Sequence, residues 1–251
     1  MSNILDTWIN DYYLLDETVD NIRETILAKP SVKYIVLDDF FKINQLDKLI
    51  SHHSLLTFNE EIDRRAHKTG EWLPYDGAVV FAQPNVHFGS ELFFDEEWHR
   101  YLAYLCHCDL KFPTSTEVKL RWHRKDADGF WIHTDSTIRT LVAIHYFNKN
   151  WKVSDGGLLQ LWRADEASAD DVFTVDCPKG RLDFLTQHQR IRTSSPGGGF
   201  MDSKPHDMVL LDQIVPTYNR LFLCNYQYDP AYHSVTPSNG RERIGVVQWI
   251  R

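Results

Sequence analysis

Two histidines and an aspartate are the residues of this chain best suited to act together chemically. His133 and Asp135 sit two apart in Trp131-Ile132-His133-Thr134-Asp135, and His233 lies far downstream. Successive side chains of a strand point to opposite faces, so His133 and Asp135 share a face and Thr134 points away. An imidazole nitrogen and a carboxylate oxygen can then converge on one point, with His233 brought over from another strand end. Two imidazoles and a carboxylate, with no thiolate, suit Fe(II) held by one face, with the remaining positions open to cosubstrate and oxygen. In a chain with 12 His the His-x-Asp pair is a weak signal by itself, and the residues around it add weight.

A metal held this way leaves room for a chelating 2-oxo acid, whose far carboxylate needs a cation at depth. Arginine suits that task because its planar fork binds carboxylate bidentately and stays charged. Arg243 and Arg241 share a face by strand period, which leaves either open to the role. Arg243 is preferred, since the apolar run Ile244–Val247 follows it and carries it deeper. Gly156-Gly157 precedes Leu158-Leu159-Gln160-Leu161-Trp162, and paired glycines at a strand entry permit a tight turn or a close backbone approach. His233-Ser234-Val235-Thr236-Pro237 runs into Ser238-Asn239-Gly240 and a last strand. A hairpin at that turn places His233 and Arg243 in one pocket.

The elements that must position these residues divide into helices first and strands afterwards. A helical pattern opens at Asp16, buries Val19, Ile22 and Ile26 on one face, and stops at Pro30. Lys33–Leu37 is a short β-rich run, Ile43–Leu56 is an amphipathic helix through Leu46, Leu49 and Ile50, and 57–90 reads as irregular. Glu96–Leu105 is a helix with Trp98, Tyr101, Leu102 and Leu105 on one stripe. Strand-like runs then follow over Glu117–Arg124, Phe130–Ser136, Thr140–Phe147, Gly157–Trp162, Met208–Leu211, Arg220–Tyr226 and Arg243–Ile250. The expected class is mainly β with flanking helices, a double-stranded β-helix (jelly roll) buttressed by the N-terminal helices. With no repeat and no low-complexity linker, residues 1–251 read as one domain. Residues 1–116 form its helical support and 117–251 a jelly-roll core with an insertion over about 165–218.

Bulk composition excludes several partners. Hydrophobic residues make up 43% and charged residues 25% of 251, ordinary for a folded domain. A net charge of −8 without a basic run disfavours a nucleic-acid partner. The N-terminus lacks the basic and apolar regions of a signal peptide, and no apolar run nears the roughly 20 residues needed to span a bilayer. The expected location is cytoplasmic, where Cys106, Cys108, Cys177 and Cys224 stay reduced. Cys106-His107-Cys108 is too tightly spaced for the usual zinc pair, so these read as buried thiols.

The order His-x-Asp, strand, Gly-Gly-x-Leu, His-x-Val-x-Pro, Arg, Trp resembles the 2-oxoglutarate and Fe(II)-dependent oxygenase superfamily. Over about 117–164 and 219–250 it resembles the prolyl 4-hydroxylase branch, including the oxygen-sensing prolyl hydroxylases. Ile144-His145-Tyr146-Phe147-Asn148-Lys149-Asn150-Trp151 is similar to that branch's Tyr-Leu-Asn-Lys-Asp-Trp run. The resemblance implies His133, Asp135 and His233 as ligands of Fe(II), Arg243 on the far carboxylate of 2-oxoglutarate, and Tyr146 donating to the same end. Where the oxygen-sensing enzymes carry a second cosubstrate tyrosine, this chain has His123. The implied activity is hydroxylation of an unactivated C–H bond using 2-oxoglutarate and O2, with ascorbate as an accessory. Asp135 favours hydroxylation over halogenation, because its carboxylate fills the position a halide needs.

The branch points to a prolyl residue or free proline as substrate, and the long insertion suits another free amino acid or small metabolite equally. Arg121, on one strand face with Lys119 and His123, either meets an anionic group of the substrate or belongs to a solvated stripe. Trp131 either walls the pocket or is core. Residues 165–218 form a lid hinged near Gly197–Gly199 or a passive surface excursion. Readings of other classes are a non-catalytic jelly-roll binding domain and a zinc hydrolase using the same ligands. Oligomeric state is not legible.

Overall fold

The computed structural model describes residues 3–53, 63–66, 72–75, 78–81, 90–123, 125, 130–134, 140–164, 190–192, 199–201, 208–227 and 231–251. For 52–53, 63–66, 72–75, 78–81, 90, 130–134, 164, 190–192, 199–201 and 208 the description is of the backbone alone.

The N-terminal third supplies helices α1 (Ile4–Trp8), α2 (Asp16–Leu27), α3 (Ile43–His53), α4 (Ser90–Phe94) and α5 (Glu96–Leu105). In α2 the buried residues include Val19, Ile22 and Ile26, the stripe expected from their spacing, and Asp16 and Glu17 in its first turn complement the helix dipole. The α5 N-terminus is held by Asp95, whose carboxylate accepts from the backbone N–H groups of Glu97 and Trp98 at 2.8 and 3.3 Å. Trp98, Leu102 and Leu105 of α5 are fully buried.

The strands are β1 (Lys33–Leu37), β2 (Asp63–Ala66), β3 (Trp72–Tyr75), β4 (Ala78–Phe81), β5 (Thr116–His123), β6 (Phe130–Thr134), β7 (Leu141–Tyr146) and β8 (Leu159–Ala164). They continue with β9 (Arg190–Arg192), β10 (Gly199–Met201), β11 (Met208–Ile214), β12 (Arg220–Asn225), β13 (Tyr232–Val235) and β14 (Arg243–Ile250). One six-stranded sheet has the order β1-β12-β7-β14-β5-β4, and a second has the order β11-β8-β13-β6-β10-β9. All strand pairs are antiparallel. This is the jelly roll expected from the sequence. Alternation divides the first sheet: Leu141, Ala143, Leu221, Leu223 and Val246 pack against the helices, while Val142, Tyr146, Phe222, Val247 and Trp249 face the second sheet.

Three readings are corrected. The stretch 57–90, expected to be irregular, contains β2 and β3, which pair with each other, and β4, which extends the first sheet beside β5. Asp63-Arg64-Arg65-Ala66 offers no apolar alternation, so the period that reveals a strand is missing there. The 165–218 region contributes more than the single strand over 208–211. Strand β11 runs to Ile214, and β9 and β10 pair with each other and onto the free edge of β6. Gly199, expected at a hinge, lies in β10 opposite Thr134, and the rest of that hinge and Cys177 fall outside the described residues.

The third correction concerns His233 and Arg243, which are not joined by a hairpin. β13 pairs with β6 and β8, whereas β14 pairs with β5 and β7. The chain after β13 stays zipped to the entry of β8: Thr236 N–H donates to Leu158 O at 3.0 Å, and Gly157 N–H to Pro237 O at 2.9 Å. It then crosses between sheets instead of folding back on itself. Gly156 makes this possible. Its φ is +69°, and a Cβ there would lie 2.0 Å from the Pro237 carbonyl oxygen. Gly156→Ala is expected to destabilise the protein by roughly 1–3 kcal/mol, the range for a side chain forced into a glycine-only conformation. Thermal denaturation checks this, and an unchanged melting temperature would count against the crossing as described.

Candidate active site

A cleft lies between the two sheets, lined by residues of both. Its walls are mostly apolar, with Ile144, Leu159, Leu161, Phe222 and Val235 among them. His233, Arg243, Arg121, Tyr146 and Tyr226 are among the residues that bring polar groups to it. Pairing, not sequence proximity, brings these together, since β13 and β14 lie in opposite sheets.

The second sheet carries the histidines. His233 on β13 pairs directly with His133 on β6, and Leu161 and Phe200 extend the same row on either side. Directly opposed residues of an antiparallel pair share a face, with Cβ atoms about 4.5–5.5 Å apart. His233 Nδ1 lies 2.9 Å from the Ala231 carbonyl oxygen. A carbonyl only accepts, so Nδ1 carries a proton and donates it, the outer hydrogen bond typical of a metal-ligating histidine. Ala231 presents that carbonyl from a left-handed backbone, φ 48°, a conformation costing a non-glycine residue roughly 1–2 kcal/mol. Asp135 lies outside the described residues. Trp131 shares β6 with His133, and its backbone alone is described.

The first sheet carries the cations. Arg243 opens β14 opposite His123 on β5 and is buried. Its Nη1 lies 3.0 Å from His123 Nε2. Since a guanidinium only donates, His123 accepts at Nε2 and is neutral. The Arg243 Cζ sits 5.2 Å from the Tyr146 ring centroid. Arg243 Nε and the Tyr146 hydroxyl are buried and have no hydrogen-bond partner among the described residues. Burial pushes the Tyr146 phenol above its ordinary value, and the nearby Arg243 charge works against that rise. Buried donors left unpaired are costly, so the pair is suited to an anion entering the cleft.

Arg241, the competing cation, is a surface clamp. It is bonded to Asp155 at 2.9 Å and donates to the Asn150 and Lys149 carbonyls, each at 2.8 Å. Gly157, at φ +63°, explains how Arg243 fits: a Cβ there would lie 2.9 Å from Arg243 Cδ. The glycine pair thus approaches the arginine stem. Arg121 lines the cleft, its guanidinium 5.3 Å from the Trp249 ring centroid. Sequence reasoning missed the apolar walls and Tyr226, whose ring centroid lies 6.3 Å from that of His233. Inward alternation on β7, β8 and β12 was the signal available for the walls.

A double-stranded β-helix with paired histidines on one sheet and a buried arginine on the other defines a class of metal-dependent oxygenases. The model of the 2OG-Fe(II) oxygenase superfamily matches residues 97–251, well over half of the chain, which therefore belongs to that family and is a dioxygenase. Among solved structures, a Pseudomonas putida prolyl-4-hydroxylase aligns at 14% identity with TM-score 0.55, over 93% of this chain and 98% of its own. A prolyl hydroxylase from Trichoplax adhaerens, in complex with a hypoxia inducible factor peptide fragment, aligns at 12% identity with TM-score 0.57, over 93% and 89%. HygX from Streptomyces hygroscopicus, with nickel, 2-oxoglutarate and hygromycin B bound, aligns at 9% identity with TM-score 0.54, over 91% and 86%. Identities this low speak for the fold. No curated protein matches the chain in sequence. Among the described residues no helix is long and apolar enough to cross a membrane.

Proposed function

We propose that the chain, working as one oxygenase unit, hydroxylates an unactivated C–H bond with Fe(II) held by His133, Asp135 and His233. The observation that carries this reading is the direct pairing of His133 with His233, together with a His233 Nδ1 bonded to the Ala231 carbonyl. When bound, the iron supplies the oxidising chemistry, drawing on O2 and 2-oxoglutarate, with ascorbate as an accessory. The chain's own part is positioning. Ala231 fixes the His233 ring. Arg243 and Tyr146 take the far carboxylate of 2-oxoglutarate, and His123 holds the Arg243 fork in place. The apolar walls keep water from the reacting carbon.

The structural neighbours include prolyl hydroxylases, which favours a prolyl residue or free proline as substrate. A second reading, hydroxylation of another free amino acid or small metabolite, is favoured by a specific observation, the extra guanidinium of Arg121 inside the cleft.

The test is anaerobic titration of the purified protein with Fe(II) and then 2-oxoglutarate. A visible metal-to-ligand charge-transfer band is expected, followed by succinate release on admitting O2 and substrate. Asp135→Ala is expected to abolish band and turnover while leaving the melting temperature nearly unchanged, because the site is a local metal centre. A wild-type protein with no band, or an Asp135→Ala variant that unfolds, overturns the assignment.

A further inference from the structure

The cleft carries, within its own wall, a target for the chemistry it is built to perform. Among the described residues that line it none bears sulfur, the element a strong oxidant attacks first. The electron-rich groups left are the phenols of Tyr146 and Tyr226 and the indole of Trp249. Tyr146 ends β7 opposite Arg220 at the start of β12, and Arg243 Cζ lies 5.2 Å from its ring centroid, so it belongs to the cosubstrate end. Tyr226 follows the last residue of β12, at the opposite end of that strand. Its ring centroid lies 6.3 Å from that of His233, with the two planes inclined at 36°. His233 Nδ1 is bonded to the Ala231 carbonyl, which leaves Nε2 for the metal. The Tyr226 ring is also fixed in place. The residue is 3% exposed, and its N–H donates to the Thr140 carbonyl at 2.8 Å. Asn225, just before it, donates to the Cys106 and His107 carbonyls at 3.0 and 3.2 Å.

We infer that Tyr226 is a self-hydroxylation site, marked when the loaded enzyme meets O2 with no substrate in the cleft. The inference rests on the reading of His233 as an iron ligand. Without substrate, the oxidising equivalent drawn from O2 and 2-oxoglutarate finds no foreign C–H bond, and a ring held at a fixed distance takes its place by proximity. The balance is that of one turnover. 2-Oxoglutarate and O2 give succinate and CO2. One oxygen atom enters the new succinate carboxylate, and the other enters a ring C–H bond of Tyr226 next to the phenol carbon. That C–H bond breaks, a C–O bond forms, and the hydrogen ends on the new hydroxyl. The product is a catechol side chain, and no other oxidant or reductant is consumed. The Tyr226 hydroxyl activates the carbons beside it, which directs the oxygen there. A bound substrate takes that oxygen atom instead, so the mark records turnover in its absence.

The experiment loads the wild-type protein with Fe(II) and 2-oxoglutarate, admits O2 without substrate, and maps added oxygen along the chain by peptide mass spectrometry. Fragmentation separates Tyr226 from Tyr228, its near neighbour in the sequence. One added oxygen atom on Tyr226 is expected as the main mark, growing with the succinate released. It is expected to fall to background when either Fe(II) or 2-oxoglutarate is left out, which sets it apart from general oxidation by iron and O2. Tyr226→Phe, whose ring lacks the activating hydroxyl, is expected to lose the mark at this position. The inference is overturned if Tyr226 stays unmodified while succinate is released, or if the main mark falls on another residue, Trp249 and Tyr146 included. Equal oxidation of Tyr226 without 2-oxoglutarate overturns it too, as does a mark of wild-type size on Tyr226→Phe. The wild-type map decides the matter by itself, even if the variant does not fold. A wild-type protein with no charge-transfer band points instead to failure of the functional reading beneath it.

Discussion

Arg243→Ala is expected to raise the 2-oxoglutarate concentration needed for half-maximal succinate release by roughly thirtyfold to several thousandfold. The range follows from the 2–5 kcal/mol typically lost when one partner of a buried, hydrogen-bonded charge pair is removed, at about 1.4 kcal/mol per tenfold. Arg243 is 6% exposed, so little water competes for the carboxylate or stands in for the missing cation. Arg243→Lys should fall between the two, because an ammonium supplies the charge without the planar fork. Arg241→Ala provides the control. Its side chain is 41% exposed and bonded to Asp155 outside the cleft, an ion pair worth at most about 1 kcal/mol of stability. It should leave the 2-oxoglutarate requirement within about twofold of wild type, as expected for a site without shared partners. The reverse order, with Arg241→Ala the more damaging, would move the anchor to Arg241.

The choice between these two arginines shows where sequence is informative. Both share a strand period, and only the apolar run after Arg243 hinted at depth. The structure adds the mechanism, since Gly157 leaves the space that the Arg243 stem fills. Helix α5 was legible to its ends because a capping Asp95 and a single apolar stripe coincide there. The strands of the first sheet other than β4 were legible because they are rich in β-branched and aromatic residues and bounded by turn residues. Short strands with charged or glycine-rich composition, β2, β9 and β10, carry no such signal, and pairing partners distant in sequence decide them. The path between His233 and Arg243 was misread for a related reason. Ser238-Asn239-Gly240 has hairpin composition, but the preceding residues were already committed to pairing with the β8 entry. The Lys119, Arg121, His123 face could be read as solvated or inward, and only the sandwich shows that Arg121 lines the cleft and that His123 is buried against Arg243.

His145 was quoted as part of a motif but given no physical role, and its surroundings make it the acid-sensitive point of the fold. It alternates with Tyr146 on β7, so it faces the helices while Tyr146 faces the cleft. Rings of Phe41, Phe93 and Trp98 surround it at centroid distances of 5.1, 5.5 and 5.8 Å. Neither ring nitrogen has a hydrogen-bond partner among the described residues. Burial pushes its pKa down from 6.5 to about 3, so the folded protein keeps it neutral while the unfolded chain protonates it below about pH 6.5. The unfolded state therefore gains protons first as pH falls. Stability contributed by the neutral ring is complete above pH 6.5 and declines by about 1.4 kcal/mol per pH unit between there and pH 3. At pH 5 the loss is about 2 kcal/mol, or about 4–8 °C in melting temperature for a chain of this size. His99, also depressed by burial, adds in the same direction. His145→Leu removes the titrating group and two unsatisfied polar atoms, each worth roughly 1–3 kcal/mol when buried. The variant should melt no lower than wild type at pH 7.5. The drop in its melting temperature between pH 7.5 and pH 5 should be smaller than that of wild type by about the amount above. Parallel pH profiles for the two proteins would mean that the folded protein takes up a proton at His145 as readily as the unfolded chain does, against the assignment.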